Sequence, residues 1–423
     1  MSERVLEFEE ALAEVFRHAA TVRKPARDPQ PLALKDAVGR VLAEPVCAQR
    51  DQPPFARSTR DGYAVRSVDV SSTSKTDPLR IMGSVRAGEM WCGAPVGDLE
   101  AIEIMTGAPL PDGANAVLMV EHAEMGADGR LHAAAGRTLE AGENVVPRGA
   151  EAKAGAEVIP VGRRIGAAEI ALAANCGCSR LDVFDVAKVA IVATGDELVE
   201  LDAKPEPSQI YNSNSYALAA MVSMEGGYGE QLEIARDTVE DLRERIGQAR
   251  VSDLMLLSGG VSMGKYDLVE RVIAEYGAEF FFTGAMIQPG KPVVFGRLKR
   301  EKKSENRDQR DWIYFFGLPG NPVSTEVCFR LFVAPMLRAL AGQRPIAPRF
   351  IEAKLIEDVK GGTRVTRFLP AVVESDWTQV SVRVVPWQGS GDLAANARAN
   401  GFVVLPRGVE RFAAGESVRV LVR

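Results

Sequence analysis

The chain has 423 residues, which as a soft prior means about three domains, and at 46% hydrophobic it can bury a large core. A net charge of -6 and a pI near 5.5 argue against a general nucleic-acid binder, so an anionic ligand would need a locally basic pocket. The five cysteines are scattered apart from Cys176-Gly-Cys178, which suits a reducing compartment, and with three distant histidines (His18, His122, His132) they make a poor zinc set.

The opening Met1-Ser-Glu-Arg-Val has no apolar h-region, and no run approaches the ~20 apolar residues of a membrane span. A cytoplasmic protein with no membrane and no nucleic-acid partner is expected. Apolar residues at helical spacing predict a helix over Val5 to Ala20, ended by Pro25, and a second helical stretch over Leu32 to Leu42. From Asp51 the texture becomes Gly- and Pro-rich with short apolar runs at Leu79 to Met82, Ala101 to Met105 and Ala116 to Val120, which reads as a small β-rich domain. A helix is expected over Ile165 to Ala174.

Beyond residue 186 strands and helices alternate. Strands are predicted at Lys188–Thr194, Gln231–Arg236, Leu254–Leu257, Glu279–Phe282, Pro292–Leu298 and Trp312–Leu318. Helices are predicted at Ser215–Met224, Val239–Ala249, Leu268–Tyr276 and Pro322–Leu340. That alternation implies a mostly parallel, doubly wound sheet. The mixed-sign run Lys299 to Asp311 reads as a solvated hairpin tip, and the short alternating stretches after 345 as a small β-barrel. The fold class is therefore α/β plus β, in several domains.

The stretch Ser258-Gly-Gly-Val-Ser-Met-Gly-Lys-Tyr-Asp267 follows a strand and precedes a helix. Gly259 and Gly260 let backbone N–H groups turn toward a ligand, Ser258 and Ser262 add hydroxyls, and Lys265 adds a cation; this is a phosphate or oxyanion site, without the spacing of a Walker loop. Ligands in open α/β sheets bind at the carboxyl ends of the strands. Three more turns place polar groups there: Thr194-Gly-Asp-Glu-Leu198, Arg236-Asp237, and Gly317-Leu-Pro-Gly-Asn-Pro-Val-Ser324. Asp196, Glu197, Asp237 and Asp267 can thus converge, and clustered carboxylates suit Mg²⁺. Asp237 with Glu240, and Asp267 with Glu270, equally fit helix capping boxes; Glu197 has no such alternative.

Together the motifs resemble the MoeA-type molybdopterin molybdenumtransferase family, which includes the gephyrin E domain. The matches are Ala37-Val-Gly-Arg-Val-Leu-Ala-Glu44, Asp61-Gly-Tyr-Ala64, Met105-Thr-Gly-Ala-Pro109, Pro111-Asp-Gly-Ala-Asn-Ala116, Thr194 to Leu198, and Ile210-Tyr-Asn-Ser-Asn214. Ser258 to Asp267, Pro289-Gly-Lys-Pro292, Gly317 to Ser324 and Gln388-Gly-Ser390 follow in the expected order.

The resemblance implies four domains: residues 1–50 with 145–185, a β-rich insertion at 51–144, a molybdopterin-binding α/β domain at 186–340, and a β-barrel at 345–423. It implies a homodimer that takes adenylylated molybdopterin and molybdate, with Mg²⁺, and yields molybdenum cofactor and AMP. A molybdopterin adenylyltransferase would act upstream. Glu197, Asp237 and Asp267 match positions of metal and nucleotide chemistry, while Asp61 and Thr106 match residues reaching the site from the partner subunit. Lys291, Ser324, Arg364 and Ser390 would form the oxyanion pocket, with Arg148 a further charge, and Pro319 and Pro322 would also belong to the substrate-binding set. Arg364 and Ser390 come from the last domain, so its closure would complete the pocket.

The chain departs from the family in four places, one of them after Arg364, where the family's Thr-Glu-Phe-Leu-Arg becomes Val365-Thr-Arg-Phe-Leu-Pro370. Ala56-Arg-Ser-Thr-Arg60 is dibasic where the family reads Asp-Asn-Ser-Ala-Met, Val146-Pro-Arg148 stands where it often has three arginines, and Gln288 replaces a lysine. A diverged carrier or scaffold that binds pterin or molybdate without turnover is the competing reading; the retained carboxylates favour the enzyme.

Overall fold

The computed structural model describes residues 4–22, 29–70, 77–260, 268–301, 311–344, 347–362 and 364–423. The chain forms two compact units, one of residues 1–43, 161–166 and 180–423, the other of 44–160 and 167–179.

The larger unit begins with helix α1 (Phe8–Ala19), whose Glu7 and Glu10 form a reciprocal capping box, and whose Phe8, Ala11, Val15 and Ala19 are buried at helical spacing. Its centre is a six-stranded sheet: β1 (Lys188–Ala193), β2 (Tyr228–Gln231), β3 (Leu254–Ser258), β4 (Glu279–Phe282), β5 (Val294–Lys299) and β6 (Trp312–Leu318). The order is β2-β1-β3-β6-β5-β4. The first four strands are mutually parallel, and β5 and β4 continue antiparallel.

Strand β3 is buried along its whole length, as expected of a strand covered on both faces. Val189, Ile191, Leu254, Leu256 and Phe316 pack on one face with α1, α2 (Ser213–Met224) and the helices that follow β6. Ala190, Val192, Met255, Leu257 and Phe315 pack on the other with α3 (Val239–Ala249) and α4 (Leu268–Glu275). The sheet is doubly wound. Leu256→Ala is expected to destabilise this unit by about 3 kcal/mol, because the close-packed site cannot collapse fully; an unchanged denaturation midpoint would contradict that packing.

The predicted Pro322–Leu340 helix is one continuous rod with a π-helical turn inside it: α5 (Pro322–Cys328), Phe329–Val333, then α6 (Ala334–Leu340). Pro322 occupies the first turn, where its missing N–H costs nothing.

The C-terminal strands β7 (Phe350–Leu355), β8 (Thr366–Ser375), β9 (Val380–Val384), β10 (Gly401–Leu405) and β11 (Ser417–Val422) close into a five-stranded barrel in the ring order β8-β9-β7-β11-β10. The ring closes through β8 with β10, and closure removes the free edge. Short helix α7 (Leu393–Arg398) lies before β10.

Two sequence expectations are corrected. Leu32 to Leu42 is not a helix: Gln30–Ala33 pairs antiparallel with Arg180–Val183, only Leu34–Asp36 makes a 3₁₀ turn, and Leu42 N–H donates to the Arg163 carbonyl. Tertiary pairing outweighs the helical spacing here, and Gly39, at φ +81, breaks any helix. The strand predicted at Gln231–Arg236 instead ends at Gln231; Leu232 and Ala235 still donate to β1 carbonyls, but at irregular spacing. Of the predicted hairpin tip, residues 302–310 lie outside the described residues, while the flanking β5 and β6 pair antiparallel.

The smaller unit holds a four-stranded sheet in the order Arg80–Val85, Glu100–Ile104, Gly62–Val65, Ala116–Met119, with an apolar cluster on each face. Arg57–Ser58 pairs with Val145–Val146, and helix Ala167–Asn175 completes it. No helix among the described residues is long and apolar enough to cross a membrane.

Candidate functional site

The carboxyl ends of β1, β3 and β6 meet at one edge of the larger unit. Gly259, at φ +93, brings its backbone so close to β1 that a Cβ there would lie 2.4 Å from the Thr194 carbonyl oxygen. A Cβ on Gly260, at φ +64, would lie 2.6 Å from Val269 Cγ2. Both positions demand glycine for conformation and for space. Gly259→Ala is expected to cost about 2 kcal/mol or more, since strain and a backbone clash act together; a variant melting within a degree of wild type would show that the turn has another conformation.

Asn214, near the start of α2, ties the two glycine turns together. Its Nδ2 donates to Ser258 Oγ at 3.0 Å and to the Gly320 carbonyl at 2.7 Å. Ser258 is buried, and because its oxygen already accepts from Asn214, its own proton is available as a donor. Asn212 caps α2 through its side chain, which accepts from Ser215 N–H. Around these residues lies a cavity of about 820 Å³, lined among others by Glu197, Tyr211, Asn214, Ser258, Gly259 and Pro322.

A second cavity of about 570 Å³ adjoins it, with Asn321 lining both. It is lined by Lys291, Pro319, Ser324 and Ser390, and also by Gln288 and Arg367. Arg364, three residues earlier, is exposed and lines neither cavity, whereas Arg367 lines the smaller one. The reason is register: Ile287–Gln288 pairs parallel with Thr366–Arg367, placing Arg367 opposite Gln288. The charge absent at Gln288 is supplied by the neighbouring strand. Arg367 Nη1 donates to the Lys360 and Gly361 carbonyls at 2.9 and 3.1 Å, which fixes the guanidinium.

Of the three carboxylates, Glu197 lines the larger cavity, and its oxygens lie over Gly195, 2.5 Å from where a Cβ there would stand. Asp237 does not cap α3: Thr238 does, its side chain accepting from Asp241 N–H. The Asp237 carboxylate instead accepts from Thr194 Oγ1 at 2.7 Å, which holds it beside β1. Asp267, with Ser262 and Lys265, lies outside the described residues. Among the described residues no three His, Cys, Asp or Glu side chains form a metal-binding group. Glu197 and Asp237 are both exposed, and Asp237 lines neither cavity; Mg²⁺ there would keep several waters and bind through one or two carboxylates plus substrate phosphates.

The smaller unit carries the remaining predicted residues. Asp61 Oδ1 accepts from both the N–H and the hydroxyl of Thr106, at 2.6 and 2.8 Å, and those bonds hold its carboxyl below the usual range. Arg148 pairs with Asp51 at 2.8 Å. Arg57, from the dibasic stretch, stands opposite Val146 and pairs with Glu151 at 3.0 Å. A guanidinium is thus present one strand away from the position where the family often carries one. Asn214, Arg367 and Asn321 were not singled out as site residues in the sequence; Asn214 stood in a quoted motif, and Arg367 is detectable only through the strand pairing.

The structure is thus a multidomain protein whose doubly wound α/β domain carries two adjoining cavities at its carboxyl edge, both walled in part by the C-terminal barrel domain. Three family models match in chain order: MoeA N-terminal region (domain I and II) over residues 6–177, probable molybdopterin binding domain over 190–339, and MoeA C-terminal region (domain IV) over 352–422. The chain is 33% identical over 403 residues to a molybdopterin molybdenumtransferase of Nostoc sp., covering 93% of this chain and 89% of that one. It is 32% identical over 400 residues to the protein of that name from Staphylococcus aureus, covering 92% and 90%. Two crystal structures of molybdopterin biosynthesis MoeA protein from Pyrococcus horikoshii are similar along nearly their whole length. One is 33% identical with a TM-score of 0.69, covering 99% of both chains, the other 25% identical with a TM-score of 0.78, covering 99% and 100%. The chain belongs to the MoeA family of molybdopterin molybdenumtransferases.

Proposed function

We propose that this protein inserts molybdenum from molybdate into adenylylated molybdopterin and releases AMP. The observation that carries the reading is the pair of adjoining cavities sharing Asn321, one roomy enough for an organic nucleotide-bearing substrate, the other lined by Lys291 and Arg367. A small tetrahedral dianion in a net-acidic protein needs fixed cations and donors in one place; Lys291, Arg367, Ser324 and Ser390 supply them. The larger cavity takes the pterin and its diphosphate, with Ser258 donating and the glycine turn presenting N–H groups.

Glu197 and Asp237, with Asp267, would hold Mg²⁺, which when bound polarises the diphosphate and stabilises charge on the departing AMP. Water then adds to the diphosphate, giving AMP and the pterin phosphate. The two dithiolene sulfurs take up molybdenum as oxo groups leave as water, so protons must be delivered where those oxygens depart. The proposal includes the four-domain, homodimeric organisation that the family resemblance implies, with Asp61 and Thr106 serving the partner's site, and an adenylyltransferase upstream.

Incubation with adenylylated molybdopterin, molybdate and Mg²⁺ is expected to release AMP, and absence of release would reject the reading. For the assembly, mixing Asp61→Ala with Glu197→Ala chains is expected to restore part of the activity lost in each, up to about a quarter if subunits exchange at random. No recovery from a proven mixed dimer would exclude shared sites.

A further inference from the structure

The barrel's wall on both cavities is held by polar contacts that the proposed chemistry does not use. We propose that Glu326, Asn396 and Arg423 form a positioning latch that presets this wall, so that it is assembled before ligand arrives and governs ligand affinity rather than turnover. The inference rests on the ligand reading above for its kinetic arm alone.

The wall is the segment from Trp387 to Leu393. Trp387, Gly389 and Ser390 line the smaller cavity, and Gly391 and Leu393 line the larger. Asp392 closes this segment on itself: its carboxylate accepts from Gln388 N–H at 3.0 Å and from Ala395 N–H at 2.9 Å, capping α7. At one end the Ser390 carbonyl accepts from Val323 N–H at 3.0 Å, next to Ser324 on α5.

At the other end α7 is fastened to the same helix. Glu326 Oε2 accepts from Asn396 Nδ2 at 2.7 Å and from Arg423 Nη2 at 3.0 Å. Arg423 Nη2 also donates to Asn396 Oδ1 at 2.7 Å. Arg330 Nε donates to Glu326 Oε1 at 2.8 Å, and Arg423 lies over the Phe402 ring of β10, 5.2 Å from its centroid. The Glu326, Arg330 and Arg423 side chains are only 13%, 16% and 21% exposed, so one shielded carboxylate satisfies two guanidinium groups and an amide. In that setting the partners are strongly interdependent, and losing the charge leaves two shielded cations facing each other. Glu326 stands two residues beyond Ser324 on one helix, so any slip of α7 against α5 shifts Ser390 against Ser324.

The test uses the full chain with Glu326→Gln, which keeps the side-chain size but not the charge. Hydrogen exchange in residues 387–399 is expected to quicken about tenfold while α3 stays at the wild-type rate, because a local opening becomes easier without global unfolding. The KM for molybdate and for adenylylated molybdopterin is expected to rise about tenfold with kcat within about twofold of wild type. Arg423→Lys, which keeps the charge but cannot span both Glu326 and Asn396, is expected to change both quantities in the same direction by less. It also serves as the decisive variant if Glu326→Gln does not fold. Faster exchange everywhere with KM unchanged would show a general structural role and overturn the proposal, as would a loss confined to kcat. If wild type releases no AMP, the functional reading fails on its own, and the exchange measurement still decides the latch.

Discussion

Lys291→Ala is expected to weaken molybdate binding about tenfold while leaving affinity for adenylylated molybdopterin within about twofold, since one charge-assisted hydrogen bond at a solvent-open site is worth roughly 1.4 kcal/mol. The position of Lys291 is fixed by its backbone: its carbonyl accepts from Ala285 and Val293 N–H groups at 3.0 and 2.9 Å. Its side chain borders the smaller cavity and not the larger one. Arg367, opposite Gln288, contributes the other cation, so Lys291→Ala and Arg367→Ala together are expected to abolish measurable molybdate saturation. The rival assignment holds that Lys291 grips the pterin phosphate. Titration of each ligand separately decides between them: a collapse of pterin affinity with unchanged molybdate saturation would reverse the assignment.

Glu197→Gln is expected to lower Mg²⁺-dependent AMP release about a hundredfold, the scale on which a single group that stabilises developing charge acts. The substitution keeps the size of a residue that lines the larger cavity, removes its charge and replaces one acceptor oxygen with an NH2 donor. Because Asp237 is held by Thr194 rather than by a helix cap, Asp237→Asn is expected to act in the same direction. Raising Mg²⁺ is expected to recover part of the activity of either variant, and thermal stabilisation by Mg²⁺ with nucleotide is expected to shrink in both. Full activity in Glu197→Gln at limiting Mg²⁺ would remove this residue from the metal site.

The α/β core was legible where its strands are uninterrupted apolar runs, as in β1 and β3. Leu254 to Ser258 has no polar alternation to confuse its reading, and Val239–Ala249 carries its own cap and first-turn acids. What escaped were features decided by contacts distant in sequence. Leu32 has helical spacing with its neighbours, yet it pairs with Leu181, far along the chain. Asp237 with Glu240 had the spacing of a capping box, and the structure gives the cap to Thr238 because Thr194 holds Asp237. The residues after Arg364 do not match the family's motif, and the pairing of β8 with Ile287–Gln288 is what brings Arg367 rather than Arg364 to the smaller cavity. The same holds for the altered loop: that Arg57 stands opposite Val146 is a fact of strand register, invisible in either segment alone.

The central claim is that one site couples cleavage of the adenylate to insertion of molybdenum. Its most direct test is a single-turnover reaction of wild-type protein with adenylylated molybdopterin and Mg²⁺, with and without molybdate, in which released AMP and pterin-bound molybdenum are counted together. Coupling predicts AMP and bound molybdenum in equal amounts, with little AMP when molybdate is withheld. Binding of the pterin with no AMP release in either condition, as a carrier or scaffold would show, would contradict it.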